Sequence, residues 1–216
     1  MAGRSTWSTV AILGVCILAL LGAGVVGALT IEEADGDGGA PGGVAAPSEP
    51  APPQPPIDLE AIVVPAPSGF DQIPDARLLV GGNVDLEKLA AERGEQTTAV
   101  FKETRLVNGF VRAWQKPDTS ELVTVRLYQF ADDAGAASYA KRVIAAMSKP
   151  PATTFNVPAT TDTVGIDTQV QQGPNRLTYV FSRKGRVVSA IAATVIPPPD
   201  AGFLAPFARS QLALLP

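Results

Sequence analysis

Few residues of this chain could carry out chemistry. The sequence has no histidine and one cysteine, Cys16. Serine–histidine triads, histidine-ligated metals and imidazole acid–base catalysis are therefore excluded, and so are disulfides within the chain. Ser138 and Lys141 have the S-x-x-K spacing in which a lysine one helical turn later can activate a serine, but the S-D-N and K-T-G partner motifs are absent. We predict no enzyme activity, no metal site and no cofactor.

A pair of adjacent carboxylates is the other candidate for catalysis. Asp132 and Asp133 could supply half of an acid–base site, but they directly precede an amphipathic segment. Aspartate is favoured at the beginning of a helix, where it accepts hydrogen bonds from free backbone N–H groups. The position therefore favours helix capping, and a small hydrolase that works without histidine stays only a third alternative.

Aromatic and basic side chains offer better material for binding. A turn at Pro117–Ser120 would place Arg112 on an apolar strand face, where it could snorkel to the sheet edge, pair with a core carboxylate or hold an anionic ligand. Trp114 and Tyr128 fit either the core or a ligand platform. The face predicted by this register comprises Phe110, Arg112, Trp114, Val123, Val125 and Leu127. The predicted ligand-binding residues are Arg112, Trp114 and Tyr128.

A second basic group lies in a predicted turn. Arg183, Lys184 and Arg186 surround Gly185 between two β-rich segments. Such a cluster could contact a partner or a membrane surface, or it could be an ordinary solvated turn.

The amino-terminal region indicates where the protein works. Residues 10–29 form an apolar run that is long enough to cross a bilayer as a helix. Arg4 precedes it and acidic residues follow it, so the positive-inside rule places the amino terminus in the cytoplasm and the rest outside. Residues 1–30 are thus a transmembrane anchor or, alternatively, a signal peptide cleaved after Ala28, which would release a secreted protein.

Composition divides the remainder into a linker and a domain. Residues 31–56 are rich in proline and glycine and poor in large apolar side chains, which predicts a disordered linker. Residues 57–216 carry 16 acidic and 16 basic residues. A neutral domain has no electrostatic footprint for nucleic acid, and its length suits one extracytoplasmic domain with a full core.

Hydrophobic periodicity predicts the elements of this domain. A short helix should begin at a cap on Asn83 and end at Gly94, and a longer one should follow Asp132 as far as Met147. Each of two β-hairpins should precede a helix, the last helix being capped by Asp200. The hairpin strands are predicted at 110–115, 122–130, 177–182 and 186–195. The expected fold is an α+β domain, an antiparallel sheet built from two β-hairpins with helices on one face.

The order of hairpin and helix occurs twice, which suggests an internal duplication. The tripeptide at 133–135 is repeated at 200–202, and Trp114 and Phe181 keep the same offset of 67 residues.

Three segments carry a family resemblance: Val64–Phe70, Gly109–Trp114 and Val125–Ala136. Together they resemble a group of uncharacterised actinobacterial membrane-anchored envelope proteins. The resemblance implies an envelope location and covers most of the exported domain, but this group brings no established activity and no site residue.

The sequence therefore predicts a non-catalytic, membrane-tethered extracytoplasmic binding module for a lipid, a peptide or a cell-wall component. The membrane is contacted through residues 10–29, and a small apolar ligand is expected. The alternative is an accessory subunit of a membrane protein complex, held to its partner by the transmembrane helix.

Overall fold

The computed structural model describes residues 55–172, 175–195 and 204–216. The predicted span at residues 10–29, and all but the last two residues of the predicted linker at 31–56, lie outside this part. Among the described residues, no helix combines the length and the hydrophobicity that crossing a bilayer requires. The span therefore stays a prediction from sequence.

Eight strands and three α-helices make up the described residues, together with one 3-10 turn at Asp75–Arg77. The helices are α1 (Leu86–Glu103), α2 (Asp133–Met147) and α3 (Leu204–Leu214). The strands are β1 (Asp71–Gln72), β2 (Gly82–Val84), β3 (Leu106–Gln115), β4 (Leu122–Phe130), β5 (Thr153–Asn156), β6 (Thr163–Gln172), β7 (Asn175–Lys184) and β8 (Val187–Val195).

All eight strands belong to one antiparallel sheet, in the order β1-β3-β4-β8-β7-β6-β5, with β2 also pairing with β3. The α+β class and the antiparallel sheet are confirmed. The two predicted hairpins are β3–β4 and β7–β8, and they meet through β4 and β8 at the sheet centre. The sheet is larger than predicted because β1, β2, β5 and β6 extend it beyond those hairpins.

The predicted register of the first hairpin is confirmed. Arg112 pairs with Val125 and Trp114 pairs with Val123. Because side chains alternate along a strand, this register puts Arg112 and Trp114 on the same side of the sheet.

The prediction that helices cover only one face is wrong. Helices α1 and α2 pack on one face, here the α1–α2 face, and α3 packs on the opposite one, the α3 face. The cause is β4, which is apolar on both sides: Val123, Val125 and Leu127 enter the core under α3, whereas Tyr128 and Phe130 enter the core under α1 and α2. A central strand of this kind needs a cover on each face.

The two faces also argue against a simple duplication. Trp114 lies in the core of the α3 face, and Phe181, its counterpart in the repeat, lies in the core of the α1–α2 face. If the two units were copies, a rotation about an axis normal to the sheet would superpose one on the other. Such a rotation does not turn the sheet over, so equivalent residues would lie on the same face. No such rotation relates the two hairpin–helix units. The second tripeptide, at 200–202, lies outside the described residues.

Helix α1 differs from its prediction at both ends. Its cap is Asp85, whose side chain accepts a hydrogen bond of 2.9 Å from the backbone N–H of Lys88, and not Asn83. Gly94 has φ 78° and ψ 175°, a conformation that leaves the helix and that glycine adopts at little cost. The helix does break there as predicted, but it resumes at once and continues to Glu103.

Residues 55–64, here called the strap, lie across the α3 face. Leu59 and Val64 are buried in its core. Two fully buried glutamines hold the strap backbone: Gln129 accepts from the N–H of Ile57 at 2.8 Å, and Gln211 accepts from the N–H of Val64 at 2.9 Å. The Gln211 amide also donates to the carbonyl of Ile62 at 2.9 Å. These amides satisfy backbone groups of a segment that forms no strand.

We expect Gln211→Ala to lower the free energy of unfolding by about 1–3 kcal/mol, because it leaves one buried and one part-buried backbone group of the strap without partners. Denaturation in urea, followed by circular dichroism, measures the change. Gln72→Ala, at an exposed position of β1, is the matched control and should change stability by less than about 0.5 kcal/mol. Equal midpoints for the two variants would show that the strap is not held by Gln211.

Candidate functional site

A buried arginine lies at the centre of the sheet. Arg126 is on β4, paired with Val111 of β3 and Ala190 of β8. Its side chain is 2% exposed. The alternation of β4 directs it to the α1–α2 face, where the helical layer separates it from water. A buried cation in this position needs a counter-charge.

Glu92 of α1 supplies that charge. Its two carboxylate oxygens accept hydrogen bonds of 2.7 and 3.0 Å from the two terminal nitrogens of Arg126, and its side chain is 1% exposed. Burial opposes ionisation of Glu92, but Arg126, followed by Arg93, outweighs burial and lowers the pKa of Glu92. Burial likewise opposes the charge on Arg126, yet Tyr128 and Glu92 together raise its pKa. Both groups are therefore charged at neutral pH.

Arg93 brings a second guanidinium to the same carboxylate. Its Nε lies 3.5 Å from an oxygen of Glu92, and its side chain is 9% exposed. Gly94 follows directly, so the break in α1 comes just after the two charged residues. Thr97, in the half of the helix beyond the break, faces the same interior.

A small cavity lies between these arginines and the sheet. Its volume is about 30 Å³, which is more than a single water molecule needs. Small residues of β8 leave the space open. The lining residues are Arg93, Thr97, Arg126, Tyr128, Tyr139, Val143, Met147, Tyr179, Phe181, Ala190 and Ala192.

Aromatic rings form much of the cavity wall. Phe101 stacks on Tyr139 with ring centroids 5.0 Å apart, and Tyr128 meets Tyr139 edge-on at 5.5 Å. Burial raises the pKa of Tyr139 and of Tyr179, and Tyr128 adds to the effect at Tyr139. These phenols therefore stay neutral and keep their protons.

A larger groove lies outside α1. Its volume is about 320 Å³, and the loop that contains the 3-10 turn forms one wall while the first half of α1 forms the other. Leu79 at this groove is 70% exposed. The lining residues are Asp75, Leu78, Leu79, Val80, Gly81, Lys88, Ala91 and Glu92. Glu92 thus contacts the groove and also binds the arginine that lines the inner cavity.

The three predicted ligand-binding residues do not converge. Arg112 lies on the α3 face, where it pairs with Glu60 of the strap at 2.5 Å and sits 4.8 Å from the ring centre of Phe110. Trp114 is buried on the same face, edge-on to Phe207. Tyr128 lies on the opposite face and lines the inner cavity. Among the roles considered for it, Arg112 does pair with a carboxylate, but Glu60 is 55% exposed and is not the core carboxylate that was predicted.

The basic turn between β7 and β8 is bonded to its own chain. Lys184 donates to the carbonyl of Leu215 at 2.7 Å, and Arg186 donates to the carbonyl of Pro55 at 2.8 Å. Arg183 donates to the carbonyl of Gly185. Contact of this turn with a partner or a membrane stays a prediction.

The residues considered for catalysis lie apart from both spaces. Ser138 and Lys141 line neither the cavity nor the groove, and Lys141 is exposed on α2. Asp132 caps α2 by accepting from the N–H of Gly135 at 2.8 Å, as predicted. Within the described part of the chain, no group of three acidic, histidine or cysteine residues is placed to hold a metal ion.

Sequence reasoning missed Arg126, Glu92 and Arg93. The available signal was the position of Arg126 in a strand whose alternate residues Val123, Val125 and Leu127 already form one apolar face. If the second face is covered as well, the arginine is buried and must have a carboxylate partner. If helices cover only one face of the sheet, as predicted, Arg126 is expected to point towards solvent.

No protein family and no curated protein matches the chain. Among solved structures, it is similar to the extracellular domain of PknH from Mycobacterium tuberculosis, at 13% sequence identity and a TM-score of 0.41. The match covers 53% of this chain and 67% of that domain.

We expect Glu92→Ala to lower the free energy of unfolding by about 3–5 kcal/mol, because Arg126 is left charged and unpaired in the core. The double variant Glu92→Leu with Arg126→Met should recover most of this loss, since it removes both charges together. The control is Glu103→Ala at the exposed pair with Arg142, where the loss should be below about 1 kcal/mol. Denaturant unfolding of all three variants tests the prediction, and a double variant no more stable than Glu92→Ala would contradict it.

The lowered pKa of Glu92 gives a specific pH dependence. Its contribution to stability is fully present above the ordinary glutamate pKa of about 4.3 and is lost as pH falls through the lower pKa of the folded state. We expect the stability difference between the unmodified protein and Glu92→Gln to be constant from pH 7 to pH 5 and to narrow below pH 4. Denaturation at a series of pH values measures it. A difference that stays constant below pH 4, or that widens as the pH falls, would mean that the pKa of Glu92 is not lowered.

Proposed function

We propose that the protein is a non-catalytic binding module, tethered to the membrane by residues 10–29 and facing the outside of the cell, and that it binds its ligand in the groove beside α1. The apolar run, the charge on its two sides and the proline-rich linker support the tether and its orientation. The absence of histidine supports a role other than catalysis.

The observation that carries the binding site is the groove itself. A volume of about 320 Å³ lies at the lower end of the range of small-ligand pockets, roughly 300–1,000 Å³. Leu78, Leu79 and Val80 give it an apolar wall, and Lys88 and Asp75 add a charge of each sign. Pockets that combine apolar area with a few polar groups suit a ligand with a short apolar portion and a polar end.

Leu79 is the residue most informative about this site. The Leu79 side chain is 70% exposed, so most of its surface stays in water and contributes no hydrophobic stabilisation to the fold. A ligand that covered it would gain roughly 1.5–3 kcal/mol, equivalent to about tenfold or more in affinity.

The second candidate is an accessory subunit of a membrane complex. It is favoured by the same exposed leucine, which could pack against a protein in place of a small ligand. The two candidates differ in their dependence on the anchor, because a complex held by the transmembrane helix should be lost without residues 1–30.

The test compares the full-length protein, extracted from its own membranes in detergent, with a version that lacks residues 1–30. Mass spectrometry identifies the lipids, peptides and proteins that co-purify with each. We expect a small ligand on both versions, and we expect Leu79→Ser to reduce its occupancy about tenfold.

Leu214→Ser, on α3 and 42% exposed, is the matched control and should retain the ligand. Equal occupancy in the two leucine variants would remove the groove as the site. A protein partner found only with the full-length chain would show that the protein is an accessory subunit of a complex and would contradict the binding-module proposal.

A further inference from the structure

The cluster beneath α1 carries an unbalanced charge. Arg93 and Arg126 share a single carboxylate, that of Glu92, and all three side chains are at least nine-tenths buried. The residues that line the inner cavity include no other charged group, so the cluster has one net positive charge. A net charge away from water is costly unless it is neutralised or solvated.

Donor atoms around the cavity are also left without hydrogen bonds. Arg126 directs both terminal nitrogens at Glu92, and its buried Nε has no partner. The Nε of Arg93 is only 3.5 Å from Glu92, and the Tyr128 hydroxyl interacts with Arg126 and Tyr139; neither buried atom forms a hydrogen bond of standard geometry. Buried polar atoms are nearly always satisfied in folded proteins, and a group of unsatisfied donors around one space is typical of a site for a bound ion or water molecule.

These three residues line the same space. A volume of about 30 Å³ is enough for a water molecule or a monatomic anion. A water molecule would satisfy donors but leave the positive charge. A monatomic anion would satisfy the donors and neutralise the charge together.

We propose that the inner cavity binds one monovalent monatomic anion, held by Arg93, Arg126 and Tyr128. Outside the cell this anion would be chloride. This site is separate from the groove and does not depend on the ligand proposed there. The anion lies between the two layers and completes the polar core that Glu92 only half neutralises.

The test measures thermal unfolding of the full-length protein in a non-ionic detergent, as chloride replaces gluconate at constant ionic strength. Gluconate is too large for the cavity, so a bound anion predicts that Tm rises with chloride concentration, following the mass-action law for a ligand of the folded state. Bromide should act in the same way. An unfolding temperature that is equal in chloride and gluconate would overturn the proposal and indicate a water molecule.

Two variants separate the site from general salt effects. Arg93→Met removes the excess charge but keeps the pair of Glu92 with Arg126, so it should fold and lose the chloride dependence. Lys141→Gln removes the same charge at an exposed position of α2 and should keep that dependence. An identical chloride response in both variants would overturn the proposal.

Crystals grown in bromide give an independent readout. We expect an anomalous scattering peak within hydrogen-bonding distance of Arg93 or Arg126. Density at this position without anomalous signal would identify water and overturn the proposal.

Discussion

The ion pair between Glu92 and Arg126 is the constraint on which the α1–α2 layer depends. Arg126 lies on an interior strand of a sheet that is covered on both faces, so its guanidinium cannot reach water. Its counter-charge must therefore be a carboxylate of the helical layer that covers this face, with both oxygens placed to accept from the guanidinium. This requirement holds the first half of α1 against this face of the sheet, and the break at Gly94 then lets the second half of the helix take its own direction.

Two arginines on neighbouring strands show how position decides the cost of a charge. Arg112 lies on β3, and Glu60 of the strap binds it from a largely solvated position. Arg126 lies one strand further in and points to the opposite face, where its partner is as deeply buried as itself. The first pair is a surface contact of small energetic weight. The second is a core element whose two members cannot be separated without leaving a buried charge.

Local patterns predicted most elements of the centre of the fold. The turn at Pro117–Ser120 set the register of β3 and β4, and the apolar spacing of α2 with its cap at Asp132 identified that helix. Strands β5 and β6 were missed because β6 contains a glycine, a buried aspartate and an irregularity near Gln169, whose φ is 61°. Such strands lack the alternation by which a strand is recognised in sequence.

The same difficulty explains why the site could not be predicted. A sheet of four strands with one covered face makes Arg126 a solvent-facing residue, and only the second layer makes it a buried one. Glu92 and Arg93 are adjacent in an apparently ordinary helix, and nothing in their spacing indicates which strand they meet. A long-range pairing of this kind follows from the topology of the whole sheet and not from any local pattern.

The β7–β8 turn is bonded both to the strap, where Arg186 donates to Pro55, and to the segment after α3, where Lys184 donates to Leu215. Tension on the residues that precede Pro55 would therefore act at the end of two interior strands of the sheet. The strap would peel from there, with the contacts of Gln129 giving way before those of Gln211. The strap would thus be released by bonds that break one after another and not all together.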